Sequence, residues 1–377
     1  MRRVTIADVA EKAGVSPTAV SFAFNKPDQL NGETTNRIRN VAIELGYMPN
    51  PLARALISRR VGVLGVLMPQ PLGVVLANAY FHTFLQGISS MCDEERLSIL
   101  SVSPLNGSLD HALTNAPVDG FIIVGFNESH HEVAMLQRRK IPYVVVDGEA
   151  TTAPSVNVDD EAGAYSAARH LLSAGHRDIL VLMLEAAFGH AREQVHGVGM
   201  RRMRGYQRAF AEAGATWREN WVIPTVSTTM AGESSLEAAH AYGLHPTAIL
   251  AASDVIAIGA LQCAAHLQLR VPADLEVIGF DDTTLASIMK PALSTVRQPI
   301  FEKGRTAVEM LVREIEGEPG VRHVMLPTEL ILRDTTRPRA GENEVKNVAL
   351  AKRSGIPRSR SQNNPGGDKI KSKQIMS

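Results

Sequence analysis

Apolar residues near the amino terminus recur at helical spacing and predict a small unit of three helices. The apolar face of the first helix consists of Val4, Ile6, Val9, Ala10 and Ala13. Residues 33–45 repeat this period and predict a third helix, with Asn31 as its N-cap and Gly46 at its end. The side chains expected to close a core between the helices are Val9, Val20, Phe24, Ile38, Val41, Ala42 and Leu45.

Polar and glycine residues mark the ends of the first two helices. Thr5 and Asp8 have the spacing of a capping box, and Gly14 follows the last apolar residue, where a left-handed C-cap favours glycine. Ser16 and Pro17 suit the N-cap and first position of the second helix. A helix, a turn and a second helix form the helix-turn-helix pattern, whose second helix reads the major groove of DNA. The spacing by itself leaves a plain helical hairpin as an equal alternative.

From Gly62 onward, short apolar runs alternate with helical segments. Such runs are typical of parallel strands covered on both faces. The predicted strands are residues 61–68, 97–102, 120–125, 143–147, 178–184, 247–253 and 275–280. The predicted helices include residues 160–174, 201–213, 233–242 and 255–268. The alternation predicts two doubly wound α/β units, which bind ligands at the carboxyl ends of their strands, here in the cleft between the units.

Length and charge fit a protein of several domains with a basic amino-terminal part. The 377 residues exceed the usual size of one domain, and a hydrophobic content of 45% is ample for real cores. Residues 1–60 hold nine Lys and Arg against five Asp and Glu, residues 61–340 hold 22 against 31, and residues 341–377 hold eight against three. A basic head suits contact with DNA phosphates, although differences this small also arise by chance.

Other features argue against a secreted, membrane-bound or catalytic protein. Cys92 and Cys263 lie in predicted helices without metal-ligand spacing, as expected for reduced thiols. The start MRRVTIADV has no signal-peptide core and no long apolar run follows, so we expect a cytoplasmic protein, nucleoid-associated when DNA-bound and without membrane contact. The chain has no Gly-rich phosphate loop, metal-ligand cluster or GxSxG turn, so we expect no enzyme activity, cofactor or metal.

The segment VTIADVAEKAGVSPTAVSFAFN, residues 4–25, closely resembles the amino-terminal signature of the lactose-repressor family of bacterial transcription regulators. The resemblance continues through residues 33–47 and 49–56 and, more loosely, to about Pro338. It implies an α-helical helix-turn-helix headpiece and an α/β core of two doubly wound parallel-sheet subdomains, similar to periplasmic sugar-binding proteins. It also implies that the chain crosses between the subdomains near Asp160, Thr295 and Pro319.

The resulting domain assignment has five parts. A headpiece covers residues 1–48 and a hinge helix covers residues 49–60. The amino-terminal core subdomain consists of residues 61–160 and 295–319, and the carboxyl-terminal subdomain of residues 161–294 and 320–338. Residues 339–377 are expected to form a disordered basic tail, because they are rich in Lys, Ser, Asn and Gly and lack periodicity. The tail lacks the apolar heptad helix of four-chain relatives, which favours a dimer.

By resemblance, the first turn of the second helix carries DNA specificity, at Pro17, Thr18 and Phe22. Thr18 can exchange a hydrogen bond and pack its methyl group on a thymine methyl. Phe22 departs from the arginine or histidine common there, so we expect apolar contact with thymine methyls, or packing alone. The other candidate DNA-binding residues of the headpiece are Thr5, Ser16, Ser21, Asn25, Asn31 and Tyr47, mostly as phosphate contacts. For Ser16 and Asn31, helix capping is an alternative role compatible with the first.

The hinge helix is expected to bind the minor groove. Leu56 stands where the family's hinge leucine wedges open a central base step, and Asn50, Ala53 and Arg54 would line the groove. The alternative is that Leu56 only packs within a pair of hinge helices. Such a short helix is unstable alone and should fold only against DNA or a second copy. One headpiece buries too little surface for tight binding, so we expect a homodimer on a palindromic double-stranded DNA operator.

Most candidate effector-binding residues end or follow predicted strands, whereas Arg202 lies in a predicted helix. By resemblance they are Tyr80, Phe81, Asp147, Arg202, Ser253 and Asp281. Carboxylate and guanidinium groups can bridge adjacent hydroxyls while an aromatic ring covers an apolar sugar face, so a sugar or other polyhydroxylated effector is expected. Asp281 and Asp254 could instead cap the helices that follow. Two departures are compatible with a different or larger ligand: Ser227 replaces an aromatic ring, and the longer loop 185–199 adds His190, Arg192 and His196. The alternative for these three loop residues is that they are exposed and have no role.

These features favour a sequence-specific transcriptional regulator, a repressor, controlled by a small-molecule effector bound between two core subdomains. The alternative is a sugar-binding transport or sensing protein without DNA function. That alternative predicts a signal peptide and no headpiece, the reverse of what the sequence contains.

Overall fold

The computed structural model describes residues 4–48, 60–68, 70, 72–102, 109–185, 197–318, 320 and 322–337. The described residues as far as Thr336 form one compact unit. Three predictions fall on segments outside this description: the hinge helix, the inserted part of loop 185–199 and the disordered tail.

The three headpiece helices form as predicted, with the predicted ends. They are α1 (Ile6–Ala13), α2 (Pro17–Asn25) and α3 (Gly32–Leu45). The capping box of α1 is complete, because the Thr5 N–H donates to Asp8 Oδ2 at 2.7 Å while the Thr5 hydroxyl accepts from the Asp8 N–H. Gly14 has a φ of 64° and Gly46 a φ of 66°, the left-handed backbone that favours glycine at these ends.

Two six-stranded sheets make up the core. The first contains β1 (Val63–Leu67), β2 (Ser98–Val102), β3 (Gly120–Val124), β4 (Tyr143–Val146), β5 (Ser155–Val158) and β11 (His323–Leu326), in the order β11-β5-β4-β3-β1-β2. The second contains β6 (Ile179–Leu184), β7 (Val222–Thr225), β8 (Ala248–Ala251), β9 (Glu276–Asp281), β10 (Ser294–Arg297) and β12 (Glu329–Ile331), in the order β12-β10-β9-β8-β6-β7. All neighbouring strands are parallel except β12, which runs antiparallel to β10.

Helices cover both faces of each sheet, as the continuous apolar runs required. Those of the first subdomain are α4 (Leu72–Ala77), α5 (Ala79–Glu95), α6 (Leu109–Asn115), α7 (His131–Arg139) and α13 (Ile300–Glu316). Those of the second are α8 (Asp160–Ser173), α9 (Val198–Glu212), α10 (Thr229–Ala241), α11 (Asp254–His266) and α12 (Thr284–Ile288). Cys92 and Cys263 are buried in α5 and α11 as free thiols. No helix among the described residues is long and apolar enough to cross a membrane.

The chain passes between the two subdomains three times, and two of the predicted boundaries are too early. The first crossing follows β5, as predicted near Asp160. Thr295, however, lies within β10 and pairs with Gly279 of the second sheet, so the second crossing comes after Arg297. The third comes after Leu326 and not at Pro319, because β11 pairs with β5 in the first sheet. The positions of these crossings depend on the backbone pairing of short strands. The apolar periodicity of the sequence does not reveal that pairing.

Five strands were missing from the sequence prediction: β5, β7, β10, β11 and β12. They are three or four residues long, and polar residues interrupt them, as in SVNV and STVR. Pro224 within β7 fits an edge position, since β7 ends its sheet. Their pairing with longer strands supplies the stability that local sequence lacks.

Helices α5 and α13 approach unusually closely on the first subdomain. A Cβ atom on Gly87 would collide with the Phe301 carbonyl oxygen, and one on Gly304 would collide with that of Phe84. Glycine at both positions therefore lets the two backbones touch. This contact places the amino-terminal turns of α5 and α13 side by side, at the edge of the sheet where the cleft lies.

Candidate functional site

The amino-terminal turn of α2 is exposed, as a groove-reading helix requires. Ser16, Pro17 and Thr18 are exposed, whereas Val20 and Ala23 on the opposite face are buried in the headpiece core. The Ser16 hydroxyl accepts from the Ala19 N–H at 3.2 Å, so Ser16 caps the helix. Asn31 likewise caps α3, accepting from the Thr34 N–H at 2.7 Å.

The remaining headpiece candidates differ in their exposure and in their contacts. Phe22 and Ser21 are half-buried, and the Asn25 side chain donates to the Ser21 hydroxyl at 3.2 Å. The Tyr47 ring packs against Phe24, with 5.9 Å between the ring centroids. Thr5 is engaged in its capping box. The hinge candidates, which lie outside the described residues, are Asn50, Ala53, Arg54 and Leu56.

A cavity of about 710 Å³ opens between the two sheets, at the carboxyl ends of their strands. All six predicted effector-binding residues line it: Tyr80, Phe81, Asp147, Arg202, Ser253 and Asp281. Ser227, which by the resemblance replaces an aromatic ring, also lines it. The Ser227 hydroxyl lies 3.1 Å from that of Ser253 and 3.5 Å from the Asn78 amide nitrogen, which belongs to the first subdomain.

Two of the carboxylates that line the cavity, Asp147 and Asp281, stand at equivalent places on the two sheets. Asp147 directly follows β4 and Asp281 ends β9. Both have a positive φ, 57° and 130° respectively, which non-glycine residues rarely adopt. Backbone of this kind is characteristic of functional sites, where the surrounding structure holds it in place.

Arg202 spans the second-subdomain side of the cavity. Its Nε donates to Asp160 Oδ1 at 2.9 Å, Nη1 donates to the Ala252 carbonyl oxygen, and Nη2 lies 3.9 Å from Asp281 Oδ1. The guanidinium stacks on the Phe280 ring, 3.5 Å from its centroid. These contacts fix the plane of the guanidinium in the cavity wall.

Lys303 is a component of the site that the sequence analysis missed. It is fully buried, and its ammonium donates to Asp147 Oδ1 and Gln298 Oε1 at 2.6 Å each and to the Tyr80 hydroxyl at 3.2 Å. The Tyr80 hydroxyl in turn donates to Asp147 Oδ2. In the sequence, a lysine between Glu302 and Gly304 is typical of an exposed helix face. Only the close packing of α5 on α13 reveals its burial.

Gln298 joins this cluster to the second subdomain. Its amide Nε2 donates to Asp281 Oδ1 at 2.6 Å, while its carbonyl oxygen accepts from Lys303. Gln298 also lines the cavity and follows β10, in the second crossing between the subdomains. A continuous chain of hydrogen bonds therefore runs from Tyr80 to Asp281.

Burial and neighbouring charges shift the ionisation of these groups. Burial, followed by the nearby Asp147 carboxylate, raises the pKa of Tyr80 well above its ordinary value, so the phenol stays protonated. Burial acts to raise the pKa of Asp147, but the Lys303 cation and the Tyr80 hydrogen bond outweigh it and hold that pKa below the ordinary value. Burial raises the pKa of Asp281 despite opposition from Arg202 and Gln298.

Asp254 has a structural role beneath the cavity. It is fully buried at the first position of α11, where Ser253 is the N-cap. Asp254 Oδ2 accepts from the Thr283 N–H at 2.7 Å, and Oδ1 accepts from the Thr295 hydroxyl at 2.5 Å. Burial and the neighbouring Asp281 raise the pKa of Asp254. Asp254 has neither of the two roles left open for it, because it does not line the cavity and Ser253 caps the helix that follows. It fixes the loop after β9 instead, whereas Asp281 faces the cavity.

The chemistry available at this site is recognition by hydrogen bonds. Acceptors on both subdomains, hydroxyls from Ser227 and Ser253, and the Tyr80–Phe81 ring pair surround one cavity. Among the described residues, no three His, Cys, Asp or Glu side chains converge as metal ligands.

Comparisons with known proteins agree with this arrangement. Residues 5–50 match the model of the bacterial regulatory proteins, lacI family, and residues 168–336 match that of a periplasmic binding protein-like domain. Catabolite control protein A of Priestia megaterium is 30% identical over 344 residues, which cover 89% of this chain and 99% of that protein.

Solved structures that resemble nearly nine-tenths of the chain include two with bound ligands. The lac repressor dimer bound to operator and the anti-inducer ONPF is 25% identical, with a TM-score of 0.75, and the match covers 89% of this chain and 100% of that one. The complex of the transcriptional regulator CelR with cellobiose is 26% identical, with a TM-score of 0.65, and covers 88% of this chain and 100% of that one.

The headpiece match sets aside a binding protein without DNA function, and the relatives are regulators and not enzymes. Because the relationship extends over headpiece and core together, this chain belongs to the lacI family of bacterial regulatory proteins and is a DNA-binding transcriptional regulator.

Proposed function

We propose that the protein is a repressor that binds a palindromic operator as a homodimer and changes its operator affinity when a sugar binds in the cleft cavity. The observation that carries the effector proposal is the convergence of Asp147 and Asp281, from different subdomains, on one cavity. A polyhydroxylated ligand that donates to both carboxylates favours one relative placement of the subdomains, which is how a ligand shifts a conformational equilibrium.

The chemistry of the wall supports a sugar over a purely apolar ligand. Arg202 stacks on Phe280 with its plane fixed, and the edge-on pair of Tyr80 and Phe81, with ring centroids 5.2 Å apart, offers an apolar surface beside the acceptors. A sugar has both polar edges and an apolar face, so it satisfies both. The CelR structure contains cellobiose, which supports a saccharide in a fold of this kind.

For DNA, the proposal assigns sequence reading to Pro17, Thr18 and Phe22 and phosphate contact to neighbouring polar residues. The exposure of the first turn of α2 supports this assignment. Leu56 is proposed to wedge a central base step from the hinge. The lac repressor relative was solved as a dimer on its operator, which supports a twofold arrangement here.

The effector proposal is tested with the full-length protein and a panel of uncharged mono- and disaccharides, with nucleobases as the competing class, by isothermal titration calorimetry. At least one saccharide is expected to bind, and Asp281→Asn is expected to weaken that binding while Asp274→Asn, on the exposed surface, is not. Binding of a nucleobase with no saccharide binding would overturn the sugar assignment.

A further inference from the structure

Lys303 is a fully buried cation behind the cavity wall, and its burial needs an explanation. Removing an ammonium group from water is unfavourable unless it is paired and hydrogen-bonded. Lysine has three N–H donors, and here Asp147, Tyr80 and Gln298 accept one each. The ammonium also lies 5.3 Å from the centre of the Tyr80 ring. An alkyl side chain would fill this space without requiring any of these partners.

The fold is built to bring Lys303 to this place. Gly304 and Gly87 allow α13 to touch α5, which carries Tyr80 in its first turn. Lys303 does not line the cavity, whereas Tyr80, Asp147 and Gln298 all do. It therefore contacts three cavity residues from behind without reaching a ligand itself.

The contacts of Lys303 decide what Asp147 and Tyr80 can offer to a ligand. The cation keeps Asp147 ionised, as the lowered pKa of that carboxyl reflects, so the carboxylate only accepts hydrogen bonds. Because Tyr80 donates to Asp147 and accepts from Lys303, its hydroxyl is fixed and its ring is held toward the cavity. Through Gln298, the same ammonium also fixes the amide that donates to Asp281.

We infer that Lys303 is a positioning residue for the effector, which orients Asp147, Tyr80 and Gln298 so that both subdomains present acceptors to the hydroxyl groups of one ligand. This inference rests on the proposed function and deepens it. It predicts that Lys303 acts on binding only through Asp147 and its partners, although it never touches the ligand.

The test is a double-mutant cycle on the full-length protein with Lys303→Met, Asp147→Asn and the double variant. Saccharide binding is measured by calorimetry with the uncharged panel, and ligand-free thermal unfolding is measured in parallel. Arg305→Met is the matched control, because Arg305 lies on the same helix but pairs with Glu94 on the surface at 2.7 Å.

Lys303→Met is expected to weaken binding of any saccharide that binds the wild type by about tenfold or more, because it leaves Asp147 without its cation. Adding Lys303→Met to Asp147→Asn is expected to cause a much smaller further loss of affinity, limited to what Lys303 contributes through Tyr80 and Gln298. It is also expected to raise the melting temperature above that of Lys303→Met alone. The control should match the wild type in saccharide binding and should change the melting temperature less than Lys303→Met does.

Equal losses from Lys303→Met in both backgrounds would overturn the inference, since a purely structural role weakens binding whichever residue occupies position 147. Unchanged binding in Lys303→Met would overturn it as well. If no saccharide binds the wild type, the sugar proposal fails instead. The unfolding cycle then still decides whether Lys303 and Asp147 are coupled, and additive melting shifts would contradict that coupling.

Discussion

The pKa of each carboxyl group around the cavity depends on two opposing effects. Burial raises it, and a small number of neighbouring cations and hydrogen-bond donors lower it. Lys303 offsets the burial of Asp147, while Asp281 faces Arg202 only at 3.9 Å and keeps a raised pKa. Asp254 receives its hydrogen bonds from threonines and a backbone N–H. Neutral donors stabilise a buried carboxylate less than a cation does, so the pKa of Asp254 is raised as well.

Replacing Asp254 by Asn should make protein stability less sensitive to rising pH. A carboxyl whose pKa is raised by folding adds stability that is present below its unfolded pKa of about 3.9 and is lost as the pH rises through the folded value. The free energy of unfolding of Asp254→Asn, relative to wild type, should therefore increase from pH 5 toward alkaline pH. Urea unfolding at several pH values measures this.

Asp274→Asn is the control for this experiment. Arg270 holds the pKa of the exposed Asp274 carboxyl at about 2, so its titration lies below the tested range. Parallel pH dependences for the wild type and Asp254→Asn would contradict the assignment of a raised pKa to Asp254.

Glu128 should show the opposite pH dependence. Its carboxylate accepts from the backbone N–H groups of Thr151, Thr152 and Ala153 and from the Thr151 hydroxyl, at 2.6 to 3.1 Å. Although burial acts to raise it, these hydrogen bonds, together with that from the Thr152 hydroxyl, lower the pKa of Glu128 to about 2. The stability it adds is present above the unfolded pKa of about 4.3 and is lost as the pH falls toward 2.

Glu128→Gln should therefore destabilise the protein by about 1 kcal/mol at pH 7, since one carboxylate oxygen is replaced by a donor facing donors. This loss of stability relative to the wild type should shrink as the pH falls below 4. Urea unfolding of both proteins at pH 7 and at a pH below 4 measures the change. A deficit that stays constant with pH would show that the charge of Glu128 does not matter.

Among the elements, the headpiece helices were the most predictable, because their ends depend on local chemistry. The capping box at Thr5, the left-handed glycines and the proline at the start of α2 all lie where the sequence placed them. The long buried strands were found for a similar reason. Short polar strands such as β5 and β10 were missed, because only pairing with distant strands defines them.

Variants at the start of α2 should distinguish a residue that reads a base from a residue that contacts a phosphate. Thr18→Ala is expected to relax preference at one operator position and to cost about 1–3 kcal/mol on the preferred base, whereas Ser16→Ala should weaken binding similarly on all sequences. Ser16→Ala should also destabilise the headpiece by about 1 kcal/mol through its lost cap. The test first selects operators from a randomised palindromic library. Fluorescence anisotropy then measures the affinity of each variant for the selected operators and for their single-base changes.

Asn40→Ala, an exposed change on α3 outside the candidate set, is the matched control for both variants. If Thr18→Ala lowers affinity equally for every base at every position, α2 does not read sequence through Thr18.

At the scale of the whole molecule, the sequence predicted the architecture and the cavity residues but not what connects them. Six candidates converge on one cavity because parallel strands present their carboxyl ends at the same edge of each sheet. The linkage through Lys303 and Gln298 depends on the second crossing and on the approach of α13 to α5. Neither leaves a periodic signal in the sequence.

The central claim is that a ligand bound in the cleft changes the affinity of the headpiece for DNA. The most direct measurement is operator binding by the full-length protein, followed by anisotropy with and without a saturating saccharide that calorimetry has shown to bind. The protein concentration at half-saturation of the operator should shift by about fivefold or more in the wild type when the saccharide is present. That shift should be lost in Asp281→Asn at the same saccharide concentration. A saccharide that occupies the cavity yet leaves the operator midpoint of the wild type unchanged would contradict the account.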